Sequence, residues 1–418
     1  MIKRNLYSEL IDHLSQKEMS LIIGPRQAGK TTLMEMLKAH LDRSGKRTLF
    51  LNLDIEWDRP HFKSQAALLK KIELELGHEA GYVFIDEIQR KEDAGLFLKG
   101  LFDLKLPYKF IVSGSGSLEL KEKIHESLVG RKRLFELSTI TFEEFVNHRT
   151  DYRYEKNLAD YLAMETDRTQ QALSEYMQFG GYPSVVMAAE EREKLRLIDE
   201  IYRSVLEKDI AYLLKLDKPD AFSALIKILA SQVGQLMNYS ELASTLNVSF
   251  PTVKKYLWYA QKMFLVELVR PYARNVRKEI SKSPVPYFWD LGLRNYSLGL
   301  LGHMASPSEA GLVFENLVFL MLKQKLRFKA AKLNFWRTKD KAEVDFVIEA
   351  GKDLIPLEVK YKRFRQARVP ASLRSFIDKY KPGQAYVINL TLSTTIDIAG
   401  TTLSFIPFHA LLRRGAIL

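Results

Sequence analysis

The sequence predicts an α/β fold in which helices cover both faces of a parallel sheet over roughly the first 150 residues. Short apolar segments, each long enough for one strand, alternate with segments of helical spacing. The predicted strands lie at 19–23 (MSLII), 47–54 (RTLFLNLD), 82–85 (YVFI) and 108–117 (YKFIVSGSGS). A continuous apolar run such as 82–85 is typical of a strand that is buried within a parallel sheet.

The composition indicates a globular chain of several domains. Its 418 residues predict two to four domains, and its 46% hydrophobic and 27% charged residues are typical of folded proteins. The absence of cysteine excludes disulfides, thiolate zinc sites and cysteine nucleophiles. Neither an apolar run of about eighteen residues nor a secretory signal occurs, so we expect a cytoplasmic protein. The net charge of +12 predicts a polyanionic partner, either nucleic acid or, less often, an anionic membrane.

The segment after the first predicted strand has the pattern of a phosphate-binding loop, GPRQAGKT, and residues of helical spacing follow it. Glycines let backbone N–H groups approach phosphate oxygens, and the start of a helix adds its positive dipole end. Lys30 would reach the β- and γ-phosphates of ATP, and the Thr31 hydroxyl would bind Mg²⁺. The predicted nucleotide-binding residues are Gly24, Pro25, Arg26, Gln27, Ala28, Gly29, Lys30, Thr31 and Thr32.

Two acids end the buried strand at 82–85, where open α/β sheets place their ligands. We expect Asp86 to hold Mg²⁺, directly or through water, and Glu87 to orient or deprotonate the water that attacks the γ-phosphate. The alternative is that both are surface acids at the end of a strand. Because they follow a phosphate-binding loop, the pair predicts hydrolysis of ATP.

Two further catalytic roles are predicted less specifically. Ser113 or Ser115 would sense the γ-phosphate or the attacking water, although a hydroxyl in a turn is an equal alternative. Arg131 is the first candidate for a cation that reaches transition-state charge, within the chain or across a subunit boundary. Arg133 competes with it, and an ordinary solvated arginine is the alternative to both.

These motifs together carry a family resemblance. The phosphate loop, the strand ending in Asp-Glu, the FIVSGSGS strand and GRKRLFELSTITFEEF resemble prokaryotic AAA-type ATPases that have a C-terminal domain of unknown function. The resemblance spans nearly the whole chain. It implies an ATPase domain at 1–150, and it marks FGGYP, which ends at Pro183, as a characteristic join.

The middle of the chain predicts helices and then a winged helix. Residues 151–215 have the pattern of a helical lid or linker, and 216–285 that of two short helices joined by a turn at 247–250 and followed by a strand. Ser240 and Ser249 are plausible helix starts. A packing or subunit-contact module is the alternative to DNA binding. The candidate DNA contacts are Thr252, Lys254, Lys255 and Tyr259.

The C-terminal part, 286–418, has a pattern similar to the PD-(D/E)xK nuclease fold. Asp345 lies in one predicted strand, and Glu358 and Lys360 share one face of the next. Asp345, Glu358 and Glu315 would bind Mg²⁺ or Mn²⁺, and Lys360 would position the water or neutralise the leaving phosphate. Between residues 323 and 381, 17 Lys or Arg stand against 7 Asp or Glu, which suits a nucleic-acid backbone. The alternative is a silent hairpin in which Glu358 and Lys360 form an ion pair.

The sequence therefore predicts an ATPase with a winged helix and a nuclease-like domain that acts on DNA, with ATP and Mg²⁺ as its cofactors. The rival prediction is a nucleotide-dependent switch that binds a protein partner or a second copy of the chain. Attachment to a membrane is disfavoured, because no long basic amphipathic helix and no lipidation signal occur.

Overall fold

The computed structural model describes residues 2–115, 128–205, 218–273, 279, 282–302, 306–327, 329–413 and 415–417. The chain divides into two compact units. The first comprises Met1–Ile140 with Trp258–Leu265, and the second comprises Thr141–Leu257 with Val266–Leu418. None of the described helices is long and apolar enough to cross a membrane.

The first unit is built on a five-stranded sheet flanked by helices, and it confirms the predicted α/β fold. The strands are β1 (Met19–Gly24), β2 (Thr48–Asn52), β3 (Gly81–Asp86), β4 (Tyr108–Ser115) and β5 (Lys132–Glu136). The helices are α1 (Leu6–His13), α2 (Lys30–Arg43), α3 (Gln65–Leu76) and α4 (Ala94–Asp103). The strands run parallel in the order β2–β3–β4–β1–β5.

Parallel pairing aligns the carboxyl ends of these strands at one edge of the sheet. Gly24 at the end of β1 pairs in register with Ser115 of β4. Asn52 at the end of β2 pairs with Asp86 at the end of β3. The phosphate loop and the acidic strand end therefore lie at the same edge, as is usual for ligand sites of open α/β sheets.

A hydrophobic cluster fixes α1 and α2 on the sheet. Leu10 of α1 and Leu37 of α2 are fully buried, and they belong to one cluster with Ile22 of β1 and Phe84 of β3. Burial of each such side chain stabilises the fold by about 1.5–3 kcal/mol. Because α2 begins at the phosphate loop, this packing also holds the end of the loop in place.

The second unit begins with helices. They are α5 (Phe142–Arg149), α6 (Leu158–Met164), α7 (Thr166–Phe179), α8 (Pro183–Met187) and α9 (Glu191–Arg203). A capping box starts α5, because Thr141 accepts from the Glu144 N–H and the Glu144 carboxylate accepts from the Thr141 N–H. The FGGYP segment separates α7 from α8.

Three helices and a two-stranded sheet occupy the region predicted as a winged helix. They are α10 (Pro219–Ser231), α11 (Tyr239–Thr245), α12 (Phe250–Lys262), β6 (Val266–Val269) and β7 (Val285–Phe288), and β6 pairs with β7 antiparallel. Ser249 accepts from the Thr252 N–H, so it caps α12 as predicted. The predicted start of α11 at Ser240 was one residue late, because the helix begins at Tyr239 and Asn238 accepts the N–H groups of Ser240 and Glu241.

The C-terminal part is a six-stranded mixed sheet with helices. Its elements are α13 (Leu291–Ser297), α14 (Pro307–Leu326), β8 (Ala331–Arg337), β9 (Glu343–Ala350), β10 (Asp353–Val359), α15 (Ala371–Tyr380), β11 (Gln384–Asn389), β12 (Thr394–Ile398) and β13 (Thr401–Pro407). The sheet order is β12–β13–β11–β10–β9–β8. Strands β8, β9 and β10 form an antiparallel meander, and β11 returns parallel to β10 after α15.

Candidate functional site

The phosphate loop connects β1 to α2 through a tight turn. A side chain at Gly24 would place its Cβ 2.1 Å from the carbonyl oxygen of Leu137, so only glycine fits there. Gly29 has φ 91°, a left-handed conformation that glycine adopts without strain, and it stands immediately before α2. Gln27 also has a positive φ, of 58°. The loop therefore reaches the helix start in the conformation that its two glycines permit.

The side chain of Lys30 folds back over this loop. Its Nζ donates hydrogen bonds to the carbonyl oxygens of Gly24, at 3.2 Å, and of Pro25, at 2.8 Å. Lys30 is only 5% exposed, so its charge lies close to the loop. A phosphate anion in the loop would offer that ammonium group a stronger acceptor than a neutral carbonyl oxygen.

Asp86 lies at the centre of the candidate site. Thr31 Oγ1 donates to Asp86 Oδ2 at 2.6 Å, and Asn52 Nδ2 approaches the same oxygen at 3.4 Å. Ser113 Oγ donates to the other oxygen, Asp86 Oδ1, which also accepts from the Glu87 N–H at 3.0 Å. Asp86 is fully buried, so these donors replace the water that a carboxylate would otherwise bind.

Glu87 follows Asp86 in the chain and has a left-handed backbone conformation, φ 56°. A non-glycine residue in this region stores backbone strain, which is common at functional sites. Gln89 Nε2 donates a hydrogen bond to Glu87 Oε2. Burial raises the pKa of the Glu87 carboxyl; the Lys30 charge opposes that shift and the Asp86 carboxylate adds to it. A carboxyl of raised pKa is better suited to accept a proton near neutral pH.

The two candidate sensor serines occupy different positions on β4. Ser113 lies within the strand, opposite Ile22, and is fully buried against Asp86. The alternative of a turn hydroxyl was therefore wrong for Ser113. Ser115 ends the strand opposite Gly24, the first residue of the phosphate loop. The sensing role of either serine stays a prediction.

Arg131 lies far from the phosphate loop of its own subunit, and its role on ATP stays a prediction. Arg131 precedes β5, and its carbonyl accepts from the N–H of Met19, the first residue of β1. The phosphate loop lies at the other end of β1, which at about 3.3 Å per residue is roughly 16 Å away. Arg131 Nε donates to Asp103 Oδ1 at 2.7 Å instead. Arg133 lies in the same half of the sheet, opposite Ser20, with its guanidinium 5.5 Å from the Phe135 ring centroid.

The structure brings the predicted C-terminal residues to one end of the β9–β10 hairpin. Asp345 Oδ2 accepts from the Val359 N–H at 2.7 Å. Lys360 Nζ donates to Glu358 Oε1 at 2.7 Å, which confirms that Lys360 and Glu358 share a face. Glu315 of α14 accepts a 2.6 Å hydrogen bond from the Tyr287 hydroxyl. The ion pair of the silent-hairpin alternative is thus present.

These carboxyls influence one another electrostatically. Burial and then the Asp345 charge raise the pKa of Glu358 to about 8, although Lys360 opposes the shift. Burial and then Asp345 also hold the pKa of Glu315 well above its ordinary value. Glu358 is 5% exposed, and its Oε2 has no hydrogen-bond partner among the described residues. A buried oxygen left in this way is suited to a proton or a cation.

The predicted three-carboxylate metal site is not assembled. Within the part of the chain that the structure describes, no three His, Asp or Glu side chains stand together closely enough to hold a metal ion. Each carboxyl has another partner, since Asp345 binds a backbone N–H, Glu315 binds Tyr287 and Glu358 binds Lys360. The grouping of these residues was predictable from the sequence, but their arrangement around an ion was not.

The candidate DNA-contact residues lie along α12. Lys254 and Lys255 are exposed, and Lys254 Nζ lies 4.7 Å from the centroid of the Phe250 ring. Thr252 Oγ1 shares a 2.8 Å hydrogen bond with Ser249 at the start of the helix, so its hydroxyl is already engaged there. Tyr259 is half-buried. The DNA contacts of these residues stay predictions.

Among the described residues, sequence reasoning missed three whose side chains hydrogen-bond to predicted carboxyl groups. The contact of Asn52 with Asp86 could have been predicted, because Asn52 ends the strand that pairs with the strand of Asp86. Gln89 reaches Glu87 through a short helical turn at Ile88–Arg90, and nothing in the spacing indicated that contact. Tyr287 meets Glu315 across 28 residues, so only the tertiary fold identifies it.

Comparison with solved structures gives only loose similarity. The Aeropyrum pernix ORC1 protein in complex with DNA aligns with 72% of this chain and 92% of its own, at 12% identity and a TM-score of 0.32. The replication initiator DnaA bound to AMPPCP and single-stranded DNA aligns with 63% of this chain and 90% of its own, at 15% identity and a TM-score of 0.29. Similarity at this level establishes no shared function.

Comparison of sequences finds relatives over most of the chain. An uncharacterized protein of Haemophilus influenzae is 26% identical over 394 residues, which cover 91% of this chain and 92% of the relative. An uncharacterized protein of Mycobacterium tuberculosis is 28% identical over 382 residues, which cover 89% of this chain and 76% of the relative.

Three family models match successive parts of the chain. Residues 170–303 match a domain of unknown function (DUF8612), and residues 310–411 match another (DUF4143). Residues 16–146 match an AAA domain. Together with the phosphate loop and the parallel sheet, this last match supports a P-loop domain of AAA type over residues 16–146.

Proposed function

We propose that this chain binds Mg²⁺-ATP at its phosphate loop and hydrolyses it, and that ATP turnover accompanies action on DNA. The single observation that supports hydrolysis most is the 2.6 Å contact between Thr31 Oγ1 and Asp86 Oδ2, with Glu87 next in the chain. Thr31 and Asp86 fit a magnesium ion, because both present hard oxygen atoms at the end of the phosphate loop. Mg²⁺ bound there would neutralise negative charge on the β- and γ-phosphates.

The residues of the chain would divide the work of hydrolysis. Lys30 would exchange its carbonyl partners for phosphate oxygens as ATP enters the loop. Glu87 would accept a proton from the attacking water, as the water oxygen bonds to the γ-phosphorus and the bond to the β–γ bridging oxygen breaks. Asp86, held by Thr31 and Ser113, would keep its charge in place and undergo no chemistry.

A cation that meets the developing charge would come from a second copy of the chain. Arg131 lies at the far end of β1 from the loop of its own subunit, so we propose it only as a residue acting across a subunit boundary. Its Asp103 partner would have to be released for that role. An Arg131→Ala variant should then lower turnover, and mixing it with a Lys30→Ala variant should restore part of the activity.

Phosphate release from ATP tests the proposed hydrolysis. Lys30→Ala should lose both ATP binding and turnover, whereas Glu87→Gln should bind ATP and lose turnover by at least about a hundredfold. Glu79→Gln is the matched control, because Glu79 is an exposed acid of the same unit paired with Arg47. Removal of Mg²⁺ with a chelator should abolish wild-type turnover. Tight ATP binding without turnover in the wild type would instead favour the nucleotide-dependent switch.

Exposed cations in the second unit support action on DNA. Lys254 and Lys255 lie on α12, and Lys362, Arg363 and Arg365 follow β10 as an exposed basic segment. Neutralisation of phosphates by such cations releases counterions, so DNA affinity should fall steeply as salt rises. An apolar interface with a protein partner would show no such dependence.

Fluorescence anisotropy of labelled duplex DNA over a salt series tests this part of the proposal. Reversal of two charges, by Lys254→Glu with Lys255→Glu or by Arg363→Glu with Arg365→Glu, should weaken binding and flatten the salt dependence. Lys227→Glu with Lys352→Glu makes the same change of charge at exposed lysines outside both segments and should have a smaller effect. Equal losses of DNA affinity in all three double variants would show that only the net charge of the chain matters.

A second candidate activity is metal-dependent cleavage of DNA by the C-terminal part. The part from α14 to β11 carries Glu315, Asp345 and Glu358, whose sequence pattern is similar to that of the PD-(D/E)xK nuclease fold, and the unpartnered oxygen of Glu358 offers a position for a cation. Because the three carboxyls are not assembled around one ion, they would have to rearrange before one could bind.

Cleavage is tested on labelled linear, branched and single-stranded DNA with Mg²⁺ or Mn²⁺, with and without ATP. Cleavage should be lost in Asp345→Ala and in Lys360→Ala. Asp353→Ala and Lys352→Ala are matched controls, since both residues lie at the opposite end of the same hairpin. Intact DNA under all conditions would leave an ATPase whose C-terminal part is not a nuclease.

A further inference from the structure

We infer that Arg4 is a positioning residue of the phosphate loop, an inference that rests on the proposed binding of ATP there. Arg4 lies just before α1, outside every motif that the sequence indicated, and is only 8% exposed. Its Nη1 donates to the Ala28 carbonyl oxygen, inside the loop, at 2.8 Å. Its Nη2 donates to the carbonyl oxygens of Ser138, at 2.6 Å, and Thr139, at 3.2 Å. One guanidinium thus joins the loop to the segment after β5.

The contact between Arg4 and the Ala28 carbonyl also orients a backbone N–H group that can bind phosphate. The carbonyl of Ala28 and the N–H of Gly29 belong to one planar trans peptide unit, so they point in opposite directions. Because Arg4 holds the carbonyl, it also fixes the direction of the Gly29 N–H, which points away from Arg4. A phosphate loop binds its ligand through such backbone N–H groups.

Glycine at position 29 makes an external restraint necessary. Gly29 has φ 91°, and without a Cβ it can rotate at little cost into conformations closed to other residues. The peptide unit before it is therefore free to turn unless its carbonyl is held. Arg4 supplies three charge-assisted hydrogen bonds in a buried position, where such bonds are strong.

The segment after β5 and helix α1, which Arg4 connects to the loop, are themselves held in place. The Leu137 N–H donates to the Ile23 carbonyl at 2.8 Å, which ties the segment after β5 to β1. On the other side, Leu6 and Leu10 of α1 are buried in the cluster that also contains α2. Arg4 therefore links the loop to two segments that are themselves held by packing or hydrogen bonds, so its hydrogen bonds restrain the loop.

An arginine suits this position better than a lysine. The guanidinium is a planar fork of five N–H donors, which can reach carbonyls of two segments at once, whereas a lysine is a point charge on a flexible stem. Arg4→Lys keeps the charge and loses the fork. It therefore separates orientation of the loop from simple attraction of the negatively charged nucleotide.

The test compares Arg4→Lys and Arg4→Met with the wild type in steady-state turnover of ATP. We expect the KM for ATP to rise about tenfold in both variants and kcat to change by less than about threefold, because the loop is misdirected while the catalytic carboxylates are untouched. Arg47→Lys is the control, since Arg47 also donates to a backbone carbonyl, that of Leu76, at 2.8 Å and lies outside the loop.

Binding of a fluorescent ATP analogue, measured in the background of Glu87→Gln, gives a second readout that does not depend on hydrolysis. Its dissociation constant should rise by the same factor in Arg4→Lys. Wild-type affinity in Arg4→Lys would overturn the inference, and so would a lowered melting temperature with KM unchanged. If the wild type binds ATP without turning it over, the proposed hydrolysis fails while this comparison still decides the role of Arg4. Where Arg4→Met does not fold, Arg4→Lys alone carries the test.

Discussion

Ser113 and Asp86 form a fully buried hydrogen bond in which the serine hydroxyl donates to Asp86 Oδ1. The partner of this oxygen comes from β4, whereas Oδ2 is held from α2 by Thr31. Two neighbouring elements thus fix the two oxygens of one carboxylate. A carboxylate held in this way keeps the geometry that a bound cation requires.

Ser113→Ala should lower ATP turnover by about tenfold or more, because Asp86 Oδ1 would keep only the Glu87 N–H as a donor and the carboxylate would be held less firmly. Nucleotide affinity should change much less, since the phosphate loop is intact. The measurement is kcat together with the dissociation constant of a fluorescent ATP analogue. Ser115→Ala is the control on the same strand. A larger loss in Ser115→Ala than in Ser113→Ala would assign the sensing role to Ser115.

The sequence could group the residues of the candidate nucleotide site because their signal is local. The loop from Gly24 to Thr31 and the acids at 86 and 87 are each contiguous, and the parallel sheet then brings them together without further information. The position of Arg131 relative to the phosphate loop could not be predicted in the same way, because it depends on the strand direction as well. Arg131 precedes β5 and therefore lies at the amino ends of the parallel strands. The phosphate loop lies at their carboxyl ends.

Contacts between distant segments could not be predicted. Arg4 meets Ser138 across 134 residues and Tyr287 meets Glu315 across 28, and no periodicity encodes either pair. In the C-terminal part, alternation along a strand correctly placed Glu358 and Lys360 on one face. Whether carboxyls converge on an ion depends on distances of a few ångströms between elements, which spacing does not contain.

The proposed ATP hydrolysis should weaken in mild acid because of Glu87. Burial raises the pKa of the Glu87 carboxyl, and only the deprotonated form accepts a proton from water. Activity should therefore fall as the pH drops through this raised pKa, at a higher pH than the ordinary value of about 4.3 for glutamate. The measurement is kcat as a function of pH. Activity that is constant down to about pH 4.5 would contradict this assignment.

Gln89 provides a directional check on that pH profile. Its hydrogen bond to Glu87 lowers the pKa of the carboxyl and so opposes the effect of burial. Gln89→Met should therefore move the acid limb of the profile to higher pH. An acid limb that moves to lower pH would identify another group as the one that titrates.

The first unit should lose stability as the pH falls because of His13. Burial, and then the charges of Lys109 and Arg133, lower the pKa of the His13 imidazole to about 4. His13 Nδ1 lies 2.8 Å from Ser20 Oγ and 3.2 Å from Lys109 Nζ, so a proton on that nitrogen would disturb both contacts. The unfolded chain, with a histidine pKa of about 6.5, binds more protons than the folded chain between these two values. The contribution of neutral His13 to stability is therefore complete above about pH 6.5 and is lost as the pH falls towards 4.

Urea unfolding at several pH values checks this prediction. One proton taken up on unfolding corresponds to a slope of about 1.4 kcal/mol per pH unit in the free energy of unfolding. His13→Gln should remove up to that much of the slope between pH 4.5 and 6.5. His78→Gln is the control, because it makes the same substitution in the same unit at a side chain that is 85% exposed. Equal slopes in the wild type and His13→Gln would show that His13 is not the titrating group.

The FGGYP join depends on Gly180 for a reason that the structure explains. Gly180 ends α7 with φ 71°, and a Cβ there would lie 2.4 Å from Asp290 Oδ1. Both carboxylate oxygens of Asp290 already accept hydrogen bonds: Oδ2 accepts from the Gly181 N–H at 2.9 Å, and Oδ1 accepts from the Leu293 N–H at 3.0 Å. Gly180→Ala should therefore destabilise the second unit through backbone strain and through displacement of Asp290.

Gly299→Ala separates these two effects. Gly299 has nearly the same φ, 70°, but a Cβ there would meet nothing within 4 Å. It should cost only the backbone strain, about 1–2 kcal/mol, whereas Gly180→Ala should cost at least about 3 kcal/mol or prevent folding. Urea unfolding of the two variants beside the wild type measures both costs. Equal costs would mean that Asp290 moves aside freely, and its hydrogen bonds to Gly181 and Leu293 would then contribute little to holding α7 against α13.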